Sequence, residues 1–158
     1  MNITIHQPDF MPWMGYFHKW MQSDLLVIYD DAQFIKGGWQ NRDKIRINGE
    51  AKWLTVPVES SGKLGQNINE VQISYKRDWI KDHLNTFNAV FRKSKNFDQI
   101  FTLLREIYVK RHSRLFELNI SILGHNSISS NKLSILDNPT GKPDEIALKT
   151  DKGDVSFS

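Results

Sequence analysis

The sequence predicts an α/β domain with a mixed sheet: an N-terminal parallel strand-helix-strand unit, an antiparallel hairpin, and a C-terminal helical layer. Three observations carry that prediction. Apolar runs at 2–6 and 25–29 bracket a stretch whose apolar residues recur every three or four positions. Asn48-Gly49 stands between two β-type runs, the strongest short-range hairpin signal. From about Arg77 to Leu123 the apolar spacing is helical.

The elements follow in order. Asn2 to His6 is short, β-branched and closed by Gln7-Pro8, as expected of a buried strand. Pro8 and Pro12 forbid a regular ladder through the next loop, and Pro12 suits the first turn of a helix. Met14, Phe17, Trp20 and Met21 mark that helix, and Leu25 to Tyr29 is a second apolar strand ending in Asp30-Asp31. A strand, helix and strand at this spacing form a right-handed parallel crossover. Lys44 to Ile47 and Lys52 to Val58 flank the Asn-Gly turn, Ser60 to Asn69 is a polar loop, and Val71 to Ser74 is a short further strand. The helical region carries three apolar stripes with breaks near Ser94 and His112, and Gly124 stops it. Beyond Ser127 the pattern predicts a turn over Asn138 to Pro143, a helical segment around Ile146 to Lys149, and a final strand at Asp154 to Phe157.

Composition bounds the function. The chain is long enough for one domain with a sizeable core and too short for two, so a single domain over 1–158 is expected. A net charge of +3, with basic residues spread along the chain, argues against a nucleic-acid partner. Without cysteine there is no disulfide, thiolate metal site or Cys nucleophile. No spacing among the five histidines and nearby acids resembles a metal set, so no metal site is expected. No signal peptide and no apolar run of about 20 residues is visible, which predicts a cytoplasmic protein without a membrane span.

Two stretches concentrate chemistry. Neighbouring parallel strands put their carboxyl ends on one edge, where open α/β sheets bind ligands. His6 and Gln7 end the first strand, Asp30 and Asp31 the second, so His6 can face a carboxylate and serve as acid or base. The alternative is that His6 bonds to the backbone while the Asp pair caps a turn. Trp13, Gly15 and Tyr16 open the helix beside that edge. Gly15 costs about 1 kcal/mol there relative to Ala, which demands close approach of a ligand or another backbone, or tight helix-to-sheet packing. A helix N-terminus also offers N–H groups to a phosphate. The second stretch, Lys36-Gly37-Gly38-Trp39-Gln40-Asn41-Arg42, supplies an aromatic wall followed by three long polar side chains. Lys110, Arg111, His112 and Arg114 read as a solvated helix face, and His18 and His83, among apolar neighbours, as structural.

These motifs together resemble the WbqC-like protein family. HQPDFMPWMGYF matches its HQP-x-x-x-PW-x-G-[YF] pattern, and DDAQF, WQNR and LTVPV follow in family order within the first sixty residues. The resemblance implies surface polysaccharide (O-antigen) biosynthesis, with transfer of an aminoacyl or acyl group, glycyl included, to a nucleotide-linked amino sugar. The alternative is a non-catalytic sugar or nucleotide-sugar binding subunit. It carries over His6, Asp30 and Asp31 as catalytic candidates, and Gln7, Trp13, Gly15, Tyr16, Gln33, Trp39, Gln40, Asn41 and Arg42 as substrate-binding ones. The implied partner is a small nucleotide-sugar substrate. No cofactor is assigned beyond a nucleotide, either ATP or that of the sugar. Family members continue into a further strand and a glycine-containing loop, so this chain is expected to be short at its C-terminus.

Overall fold

A computed structural model describes residues 1–125, 134–135 and 148–149. The expected α/β architecture is observed. Strand β1 (Ile3–His6) pairs in parallel with β2 (Leu25–Ile28), Ile3 opposite Leu25 and His6 opposite Ile28, and helix α1 (Met14–Met21) makes the crossover. Strands β3 (Arg42–Ile47) and β4 (Glu50–Thr55) form the antiparallel hairpin, with Asn48 and Gly49 both at positive φ in the turn. The helical layer is α2 (Trp79–Phe91), α3 (Phe97–Val109) and α4 (Leu115–His125), broken where the apolar spacing lapses.

Four expectations need correction. The parallel pair and the hairpin are separate two-stranded sheets rather than one continuous mixed sheet. Strand β1 is not buried, because Ile3 is 43% and Ile5 65% exposed, leaving only its Thr4 and His6 face partly covered. The 71–74 segment is no regular strand. It bridges two neighbours instead: Gln72 O and Ser74 N bond to Glu59 and Pro57 on one side, while Val71 O and Ile73 N bond to Leu115 and Ser113 on the other. In the tail, β5 (Ser134–Ile135) and β6 (Leu148–Lys149) pair antiparallel, so Leu148 and Lys149 are extended rather than helical. The predicted Asn138 to Pro143 turn and Asp154 to Phe157 strand lie outside the described residues.

Helix α4 organises the interior. Leu115, Leu118 and Ile122 join Val56, Val71, Trp79, Ile107 and Tyr108 in the larger apolar cluster. Ile120 and Leu123, on another side of the same helix, pack with Tyr16, Leu26 and Ile28. Apolar residues around most of its circumference are what a helix between two cores requires. Each such side chain stabilises the fold by about 2 kcal/mol, so α4 joins the hairpin side to the crossover side. Asn119, fully buried between those apolar neighbours, is the exception that matters for the site.

Candidate functional site

The site grows from the carboxyl end of β1. Pro8 ends the ladder, and a tight turn, with Asp9 N donating to Gln7 O at 3.0 Å, folds Asp9 back toward His6. Met11 follows at φ 48, a left-handed conformation costing a non-glycine residue about 1–2 kcal/mol. The 36–41 loop is tied alongside. Phe10 N donates to Trp39 O at 3.0 Å, and Gln40 Nε2 donates to Gln7 Oε1 at 2.6 Å. Asn119 clasps both loops from α4, its Nδ2 donating to Pro8 O at 2.6 Å and to Gln40 O at 2.8 Å.

Between the two loops lies a cleft of about 440 Å³, lined by His6, Asp9, Phe10, Pro12, Trp13, Trp39 and Asp43. That volume suits a small ligand. Trp13 and Trp39, 63% and 53% exposed, offer aromatic walls. The Trp13 indole lies across Gly15, where any Cβ would collide with it. Gly15 therefore seats one wall of the cleft.

The polar centre is His6 with two carboxylates. Nδ1 of His6 lies 3.1 Å from Gln7 O and 3.7 Å from Asp9 Oδ2. Two acceptors on one nitrogen place its proton there, which leaves Nε2 as the basic lone pair. Burial pushes the Asp9 carboxyl above its ordinary range; the nearby His6 lowers it and the charge of Asp43 raises it further. Burial also raises Asp43, against the opposing hydrogen bond from Lys44 N. The ring of Tyr16 meets that of His6 edge-on at 4.5 Å. Its hydroxyl is buried without a hydrogen-bond partner, and burial, aided by the charge of Asp9, keeps it a protonated phenol. The cleft thus pairs an oriented base with two carboxylates held nearer to protonation than usual, an arrangement able to move a proton on a bound amine or hydroxyl.

The predicted site residues divide. His6, Trp13 and Trp39 line the cleft, while Gln7, Gly15, Tyr16 and Gln40 support it. Asn41 is buried and outside the cleft lining, donating through Nδ2 to Val56 O at 3.0 Å. Arg42 turns outward and stacks on Trp53. Asp30 is buried, Asp31 and Gln33 are exposed, and none of the three lines the cleft. The chain after β2 is instead paired with the 66–69 segment: Asn69 N bonds to Asp30 O, and Ile68 N bonds to Ala32 O. Asp9, Asp43 and Asn119 were not anticipated. Asp9 had a signal, an acid between two prolines three residues from a candidate base; Asn119 had a weaker one, a lone amide in an apolar helix.

Elsewhere, His18 is exposed, and Arg114 pairs with Glu117 at 2.7 Å on a solvated face. Among the described residues no group of three or more His, Cys, Asp or Glu could hold a metal ion, and no helix is long and apolar enough to cross a membrane.

The HQP end of the parallel strand-helix-strand unit thus meets the WQNR loop at an aromatic-walled cleft. The model of the WbqC-like protein family matches residues 7–137, and the chain belongs to that family. The uncharacterized protein Rv1507c of Mycobacterium tuberculosis (strain ATCC 25618 / H37Rv) is 35% identical over 130 residues, which cover 82% of this chain and 55% of the relative. The chain therefore spans little more than half the length of that relative. No solved structure matches.

Proposed function

We propose that the cleft binds a nucleotide-linked amino sugar and transfers an aminoacyl or acyl group, glycyl included, onto its amino group in the biosynthesis of a surface polysaccharide such as O-antigen. Membership of the WbqC-like family supports the pathway class. The observation that carries the chemistry is His6, oriented through Nδ1 by Gln7 O and Asp9, beside two aromatic walls suited to a sugar ring. In this reading Asp9 takes the orienting place that the strand ends suggested for Asp30 or Asp31.

The step is an amine attacking the carbonyl carbon of an activated acyl ester. His6 Nε2 accepts the amine proton as the new N–C bond forms, and the leaving oxygen departs with the C–O electron pair and takes that proton from the imidazole. Asp9 and Asp43 hold the amino group before attack. Turnover of a UDP-linked amino sugar with an activated glycyl ester tests this. His6→Ala should lose about 100-fold or more in kcat while the sugar still raises Tm. Unchanged turnover in that variant would overturn the catalytic role. The exposed aromatic walls favour a second reading, a binding subunit, which tight nucleotide-sugar binding without any turnover would establish.

A further inference from the structure

Strand β3 separates two chemistries. Asp43, lining the cleft, and Ile45, in the core, alternate with Arg42, Lys44 and Arg46. Residues at i, i+2 and i+4 share one face of a strand, so these three cations point the other way. Their partners across the hairpin are Thr55, Trp53 and Ala51, none of them acidic. Among the described residues the ion pairs lie elsewhere, and the side chains of Arg42, Lys44 and Arg46 have no carboxylate partner. The face is also built rather than merely charged. The Arg42 guanidinium sits 3.9 Å over the Trp53 ring and Lys44 Nζ 4.9 Å from its centroid. Gly37, at φ 75, leaves room for that guanidinium, which a Cβ there would approach to 3.1 Å. Buried Arg42 Nε has no hydrogen-bond partner. A guanidinium fixed by stacking loses little freedom on taking a phosphate, and its planar fork suits one.

Trp39 joins this face to the cleft. It lines the cleft and packs on Trp53 with ring centroids 5.5 Å apart. We propose that the outward face of β3 and β4, formed by Arg42, Lys44, Arg46 and Trp53, is a phosphate-binding subsite for the diphosphate end of the ligand whose other end enters the cleft. This rests on the proposed reading of the cleft, and it adds the polarity of the ligand: a cationic or neutral head at Asp9 and Asp43, an anionic tail beyond Trp39. Four strand steps from Arg42 to Arg46 span roughly 13 Å, enough for a nucleoside diphosphate and short for a polymer track.

The test uses the full chain with inorganic pyrophosphate, uridine diphosphate and adenosine diphosphate as probes of the face, and glucosamine as a phosphate-free probe of the cleft. Binding is followed by calorimetry and tryptophan fluorescence. The wild type should bind the phosphate probes with an affinity that falls as salt rises. Lys44→Glu combined with Arg46→Glu, both at exposed positions, should weaken them about tenfold or more and leave glucosamine binding unchanged. Arg46→Glu alone gives a smaller shift of the same sign and stands in if the double variant does not fold. No binding of any phosphate probe, or equal affinity in wild type and variants, would overturn the subsite. Single-stranded oligonucleotide binding more tightly per phosphate than uridine diphosphate would overturn it too, in favour of nucleic acid. Pyrophosphate binding without glucosamine binding would sink the cleft reading and spare the phosphate face, whereas the reverse would sink the face alone.

Discussion

Two histidines, one in the core and one in the cleft, show how one residue type is put to different uses. His83 is 4% exposed, with Nε2 3.1 Å from Thr55 O and Nδ1 3.1 Å from the Tyr108 hydroxyl. Nε2 must donate to that carbonyl, so Nδ1 accepts from the phenol and both nitrogens are satisfied. Trp79 packs edge-on against the ring at 5.0 Å. Burial pushes its pKa down to about 4, so it is a neutral core bridge at physiological pH. His6 also meets a tyrosine edge-on, yet both of its polar neighbours sit on one nitrogen and a cleft lies beside it. A histidine is available for chemistry when one nitrogen is left unsatisfied next to a space that admits a ligand.

Exchanging the two tests makes the contrast measurable. The largest effect expected is the loss of about 100-fold or more in turnover for His6→Ala, with unfolding free energy held within about 1 kcal/mol. His83→Ala should do the converse, losing about 3 kcal/mol in urea denaturation through a cavity and two unpaired groups. Comparable stability losses in both variants would erase the distinction.

The same pair separates by pH. Above its ordinary value of 6.5, His83 is neutral in both folded and unfolded chains. Between 6.5 and about 4 the unfolded chain takes up a proton that the folded chain refuses, so stability falls as pH falls, by up to about 3 kcal/mol. Asp9 and Asp43, raised by burial, work in the opposite direction. The difference between wild type and His83→Gln therefore isolates the histidine, and parallel stability curves across that window would refute the assignment.

Smaller changes address the cleft walls. Asn119→Leu keeps the volume but leaves Pro8 O and Gln40 O without their shared donor, for an expected loss of about 2 kcal/mol by urea denaturation. A neutral result would mean that the loops hold themselves together. Gly15→Ala should give effects of opposite sign, a gain of up to about 1 kcal/mol in helix stability and weaker ligand binding, because the Trp13 indole must leave its place. Unchanged affinity would remove Trp13 from the site.

Much of the scaffold was legible because its signals are local. Asn48-Gly49 dictates a turn with two left-handed residues, and the apolar spacing lapses near Ser94 and His112, where the helices break. His6, Trp13 and Trp39 were legible as polar or aromatic residues at element ends. Asp9 was not, because its role depends on a turn of the main chain between two prolines that no periodicity reports. Asp30 and Asp31 looked equivalent to it by position, yet the chain beyond β2 pairs with the 66–69 segment instead. Asn119 acts on residues distant in sequence, and such partners become visible only once the helices have packed.

That amide has a kinetic consequence. Its bonds to Pro8 and Gln40 join residues 111 and 79 positions apart, so each closes a long loop. Closing such a loop costs entropy that few local contacts offset early, so the bonds form late in folding. Strand, crossover and hairpin can assemble beforehand, but the cleft receives its final shape only when α4 docks. A chain cut before Leu115 would lose the clasp as well as the shared core, and ligand binding should therefore appear in refolding after most of the secondary structure has returned.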